Sequence, residues 1–94
     1  MQPELTSAER KKLKGRAQRL KPLVKLGKAG MTDAFLKSVD AALTDHELVK
    51  GKFDEFKTEK KELAPQIAEK VDAALVGMVG NVFVLWRPKP EKEG

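Results

Sequence analysis

The sequence predicts an α/β domain with the element order α-β-α-β-α-β-β. Three observations carry that expectation. Stretches near residues 7–19, 32–46 and 58–74 place apolar residues at helical spacing. Short β-rich runs at 22–26, 47–53, 75–79 and 82–87 separate and follow them. Between the last two runs stands Gly80-Asn81, a two-residue hairpin signal.

Met1 to Leu5 reads as a loose lead-in, and Thr6-Ser7-Ala8-Glu9 offers a capping box for the first helix, from about Ser7 to Arg19. Leu13, Ala17 and Leu20 form its narrow apolar stripe, surrounded by Arg10, Lys11, Lys12, Lys14, Arg16 and Arg19. Few acidic partners stand at i,i+4, so these charges repel unless a ligand neutralises them. Gly15 in mid-helix costs about 1 kcal/mol relative to alanine and suggests close packing or close ligand approach.

Pro22 ends the helical region and opens a strand to Leu26, with Val24 and Leu26 on one face and Leu23 and Lys25 on the other. After Gly27-Lys28-Ala29-Gly30, Thr32 caps a second helix with the stripe Phe35, Leu36, Val39, Ala42 and Leu43. Asp45-His46 closes it. The next strand runs from Glu47 to about Phe53, with Gly51 as a candidate bulge. Asp54-Glu55-Phe56-Lys57 reads as a turn and Thr58 as the cap of a third helix. Its stripe is Leu63, Ile67 and Val71 with Ala64, Ala68 and Ala74. Pro65 there predicts a kink or an irregular first turn. Both faces of Val82–Arg87 are largely apolar, which predicts an interior strand. Pro88 and Pro90 stop it, and the charged tail 89–94 is expected to be disordered, leaving an ordered core of about 6–88 in one domain, 1–94.

Composition narrows the function. Hydrophobic residues make up 40% of the chain and aromatic ones only 5%, so the core is aliphatic. No apolar run approaches the roughly eighteen residues of a membrane span, and the N-terminus lacks an apolar signal segment. The absence of cysteine excludes disulfides and thiolate metal sites and suits a cytoplasmic protein. Residues 1–30 hold nine Lys/Arg against two Asp/Glu, whereas residues 31–94 hold ten against twelve. Such segregation points to a polyanionic partner.

The Gly27–Gly30 loop lies where that charge meets a helix start. Two glycines permit a tight turn and a close backbone approach, and the amides of a helix N-terminus favour anions. Asp33, in the first turn of that helix, would compete with a phosphate placed there. The loop therefore reads as a phosphate-backbone contact, with Lys28 foremost and Lys25, Lys21, Arg19, Arg16, Lys14 and Lys12 along its border. Lys50 and Lys52 could extend that surface. Trp86, sharing a strand face with Val82 and Val84, reads as packing. A single histidine, His46 at a helix end, is expected to bond local carbonyls, and Glu59 and Glu62 read as solvated charges. No nucleophile–base constellation, metal site or cofactor site can be assembled, so no enzyme is expected.

Four ordered blocks carry a resemblance. They are Leu13-Lys14-Gly15, Leu20 through Gly30, His46-Glu47-Leu48-Val49-Lys50, and Val79 through Pro88. Together they resemble the CRM (chloroplast RNA splicing and ribosome maturation) domain family, whose free-standing bacterial members are called YhbY-like proteins. That resemblance implies a compact α/β domain with a four-stranded mixed sheet, similar to the C-terminal domain of translation initiation factor three. It further implies RNA binding through the glycine loop, and association of bacterial single-domain members with precursors of the large ribosomal subunit. Departures from the family pattern fall at Gly51, Gly77, Trp86 and Pro65, where they touch packing more than the loop. The expected partner is thus structured ribosomal RNA, bound by a monomer and read mostly by shape. The alternative is a protein-interaction module of ribosome assembly, engaging ribosomal proteins through its acidic third helix and a sheet edge, with only a nonspecific RNA tether.

Overall fold

Two faces of one β-sheet collect two separate sets of apolar side chains, and that division organises the molecule. The computed structural model describes residues 2–89. Its elements are α1 (Ser7–Ala17), β1 (Val24–Leu26), α2 (Asp33–His46), β2 (Leu48–Phe53), α3 (Lys60–Lys70), β3 (Ala74–Val79) and β4 (Val82–Trp86). The four strands form a mixed sheet in the order β1-β2-β4-β3, with β1 parallel to β2 and the other pairs antiparallel. The fold class and element order expected from the sequence are those observed.

Helices α2 and α3 cover one face. Phe35, Val39 and Leu43 of α2 and Ala64, Ile67 and Ala68 of α3 pack with Val24, Leu26, Val49, Phe53, Phe83 and Leu85 of the strands. The other face carries a smaller cluster, in which Leu13 and Ala17 of α1 meet Leu48, Val76 and Val84. Strand β4 lies between β2 and β3, which explains its apolar residues on both sides. Trp86 is half-buried against the α1 cluster, in the packing role expected for it.

Local signals gave local structure. Thr6 and Glu9 form the reciprocal capping box, and the Thr32 hydroxyl accepts from the Phe35 amide at 3.0 Å. Several expectations need correction. Helix α1 ends at Ala17, short of Arg19, and Leu20 is exposed. Gly15 marks no close packing, since a Cβ there would meet nothing within 4 Å. Thr58 does not cap α3; Glu59 holds that position with no side-chain bond, and the first turn opens with a 3₁₀-type bond from the Glu62 amide to the Glu59 carbonyl. Pro65 sits on the exposed side within α3, and of the two outcomes expected of it the irregular first turn is the one observed. Ala74 belongs to β3, not to the α3 stripe.

The bulge is also misplaced in the sequence reading. Gly51 pairs regularly with Val24 and Phe83, and the register shift falls between Leu75 and Gly77 instead. There the Arg10 guanidinium donates to the carbonyls of Leu75 and Val76, the latter at 3.0 Å. A lead-in expected to be loose is tied down: Gln2 donates to the Ala73 carbonyl at 2.9 Å, and Leu5 packs on the α1 cluster. At the other end, the Lys89 amide donates to Glu47 Oε1 at 3.0 Å, whereas the rest of the predicted tail, from Pro90, lies outside the described residues.

Candidate nucleic-acid interface

Gly27–Gly30 closes as a turn in which the Gly30 amide donates to the Gly27 carbonyl at 3.0 Å. Gly30 has φ 75°, a conformation that favours glycine, and the Thr32 amide then donates to its carbonyl at 2.9 Å. The turn therefore consumes the Gly30 amide and leaves those of Lys28 and Ala29, at the exposed tip, outside its own bonds. Gly27 differs from Gly30: it is not left-handed, and a Cβ on it would meet nothing within 4 Å. Only Gly30 is required by the turn itself.

One side of the loop is acidic on balance. The amides of Asp54 and Glu55 both donate to the Leu26 carbonyl, at 3.0 and 3.1 Å, and bring the segment before α3 against the turn. Lys28 shares a shallow groove of about 420 Å³ with Asp54, Glu55, Phe56, Lys57, Thr58 and Glu59, three carboxylates against two ammonium groups. These carboxylates disfavour a phosphate on that side. An anion reaching Lys28 is better accommodated from the opposite side, along the sheet.

That side is basic. Lys25 and Lys52 are partners across the β1–β2 pair, and Lys50 follows two residues away on the same sheet face. Helix α1 covers only part of this face. The Lys50 ammonium donates to the Leu20 carbonyl at 3.1 Å and fixes the connection from α1 to β1. Lys50 also lines two grooves. In one, of about 230 Å³, stand Arg16, Lys21 and His46 beside Leu20 and Leu23; in the other, of about 370 Å³, stand Lys14, Gln18, Val79 and Val82.

The ten sequence-predicted site residues thus divide. Arg16, Lys21 and Lys25 form a basic track with Lys50 and Lys52, and Lys28 with Gly27, Ala29 and Gly30 ends it; Lys25 and Lys28 can be at most about 11 Å apart along the chain. Lys14 lies on the other flank of α1, its stem over Gly77. Lys12 stands one turn before Arg16 on the exposed side of α1, and Arg19 follows the helix, exposed. The side chains of Lys12, Arg16, Arg19, Lys21, Lys25 and Lys28 have no hydrogen-bond or ion-pair partner among the described residues. Arg10 is committed to β3, and Arg87 to Asp40 (2.6 Å) and the carbonyl of Val71 (2.8 Å), so neither is available.

Sequence reasoning left two neighbours of this surface unassigned, His46 and Phe56, and took Lys50 and Lys52 only as a candidate extension of it. His46, expected to bond helix-end carbonyls, is exposed in the Arg16–Lys21 groove. Lys50 and Lys52 were legible only as a shared strand face, because their pairing with Lys25 depends on the parallel register. Phe56, read only as a turn residue, stands beside the glycine loop with its ring over Gly30. Among the described residues there is no helix long and apolar enough to cross a membrane, and no group of three or more His, Asp or Glu that could hold a metal ion.

Residues 5–87 match the family model described as the CRS1 / YhbY (CRM) domain. A protein of Haemophilus influenzae named "RNA-binding protein" is 38% identical over 88 residues, which span 93% of this chain and 89% of that protein. A Methanocaldococcus jannaschii protein named "Probable RNA-binding protein" is 34% identical over 89 residues, spanning 92% of this chain and 66% of its own. The solution structure of a hypothetical protein from Staphylococcus aureus superposes with a TM-score of 0.80 at 29% identity, covering 96% of this chain and 95% of that one.

Proposed function

The chain belongs to the CRS1 / YhbY (CRM) domain family, and from that premise we propose that it binds RNA without transforming it. The observation that carries this reading is the set of unpartnered cations along the open sheet face, Arg16, Lys21 and Lys25, with Lys28 in the loop that follows β1. Cations held without carboxylate partners are a standing electrostatic cost that a phosphate backbone relieves. Relatives named as RNA-binding proteins support the choice of RNA over other polyanions. In this reading the amides and ammonium at Lys28–Ala29 hold one phosphate, and the strand lysines and the end of α1 neutralise those that follow. The family resemblance suggests structured ribosomal RNA of large-subunit precursors as the target, in the cytoplasm.

Filter-binding titration of structured ribosomal RNA fragments tests the reading, comparing the native chain with the double variant Gly27→Asp/Lys28→Glu. Gly27 has no neighbour that a side chain would strike, so the variant is expected to fold, as circular dichroism would check. Affinity should fall at least tenfold, about 1.4 kcal/mol, through one lost phosphate contact and one new repulsion. Equal binding by both proteins would remove the loop from the interface. No binding by either would favour a protein partner.

A further inference from the structure

Phe56 is the exposed aromatic side chain of this protein. Of the other three phenylalanines, Phe35, Phe53 and Phe83 are buried, and Trp86 is half-buried. Phe56 keeps 39% of its surface in solvent and adopts φ 58°, an outlier for a bulky residue. The fold gains little that would explain this placement. One side of the ring covers Gly30, where a built Cβ would stand 3.5 Å from it; the rest borders the groove shared with Lys28. Two carboxylates of that groove, Glu55 and Glu59, have no side-chain partner among the described residues.

These features fit a base better than a phosphate. A π-face beside a phosphate contact suits stacking, which every nucleobase can offer. Acceptor-only carboxylates at the rim repel phosphate but accept hydrogen bonds from ring and amino N–H groups. Guanine presents two such donors side by side, N1–H and the N2 amino group, whereas uracil presents one.

We propose that the groove between the glycine loop and the start of α3 takes one unpaired nucleobase, guanine in preference to uracil. The base stacks on Phe56 with its donor edge toward Glu55 or Glu59, while its phosphate rests at Lys28. The proposal rests on the RNA-binding reading and adds to it a base-reading site that shape recognition alone does not require.

The test is fluorescence-anisotropy titration with one RNA hairpin whose loop is uridine except at a single position. That position carries guanine, inosine (guanine without its amino group), uracil or no base. The native chain should bind the guanine loop roughly tenfold more tightly than the inosine loop, and the abasic loop most weakly. Phe56→Ala should weaken guanine-loop binding about five- to hundredfold and so remove most of the difference between the guanine and abasic loops. Phe56→Leu, which keeps an apolar cover on Gly30 without a π-face, should behave like Phe56→Ala. If it binds all four loops like the native chain, the ring merely covers Gly30 and the proposal is wrong. If the native chain binds all four loops equally well, RNA binding stands and the base site falls. If it binds none, both fall.

Discussion

A Cβ built on Gly51 would stand 2.1 Å from the Phe83 ring, closer than any side chain tolerates. The position is therefore glycine because Phe83, from the neighbouring strand β4, fills the space that a side chain would take. Backbone entropy favours alanine over glycine by about 0.4–1 kcal/mol, but overpacking a buried site costs about 1–3 kcal/mol, so the clash wins. Gly51→Ala is expected to lower stability by about 1 kcal/mol in urea denaturation, the clash less the entropic gain. Reducing the ring should relieve it. Gly51→Val/Phe83→Leu is expected to be more stable than the two single changes added together, with a coupling of about 0.5–3 kcal/mol. Strict additivity would mean that the two positions do not share one volume. Gly27 provides the contrast: with open space around it, Gly27→Ala should move stability by no more than about 0.5 kcal/mol. The fold does not need a glycine there.

Helix α1 buries only Leu13 and Ala17, and the rest of its surface is largely cationic. Burying one leucine contributes about 2 kcal/mol, so polar anchors matter: Arg10 on the β3 bulge and the capping box at Thr6. Donation from the Thr6 backbone amide, and then its hydroxyl, holds the Glu9 carboxyl below its ordinary value of 4.5. A carboxyl depressed on folding stabilises the native state above its unfolded value, and that contribution disappears as the pH falls through the lower, folded value. Stability should therefore decline on acidification from about 4.5 downward, and by less in Glu9→Gln, as urea midpoints well above and well below that pH would measure. Equal declines would mean that the cap is not coupled to folding. This box was legible in the sequence because its partners are three residues apart; the α2 stripe and the Gly80-Asn81 turn were legible for the same reason. What was not legible depends on strands far apart in the chain. The bulge fell at Val76 and not at Gly51, because Phe83 fills the Gly51 vacancy and Arg10 binds the bulged carbonyls. Phe56 passed as a turn residue because only the tertiary fold sets it against Gly30.

At the scale of the molecule, the sheet separates a filled face from one that α1 covers incompletely. On the incompletely covered face the parallel β1–β2 register sets Lys25 beside Lys52, so a charge bias confined in sequence to residues 1–30 is continued by lysines from a later strand. This arrangement determines how RNA affinity should depend on salt. If about five phosphates of single-stranded RNA are neutralised, log affinity should fall against log salt with a slope near −3.5. Each contact removed should flatten that slope by about 0.7, so Lys25→Gln/Lys52→Gln should bring it to about −2. Lys52 is 3.8 Å from Asp54, a loose surface pair that a phosphate can displace at little cost. Lys60 makes a useful control, because its ammonium is already engaged, donating to the Gly80 carbonyl at 2.8 Å and to Asn81 at 3.1 Å. Lys60→Gln should cost some stability and leave the slope alone. A slope unmoved by Lys25→Gln/Lys52→Gln would place the RNA on the outward row of α1, from Lys12 to Arg19, and leave the sheet face to another partner.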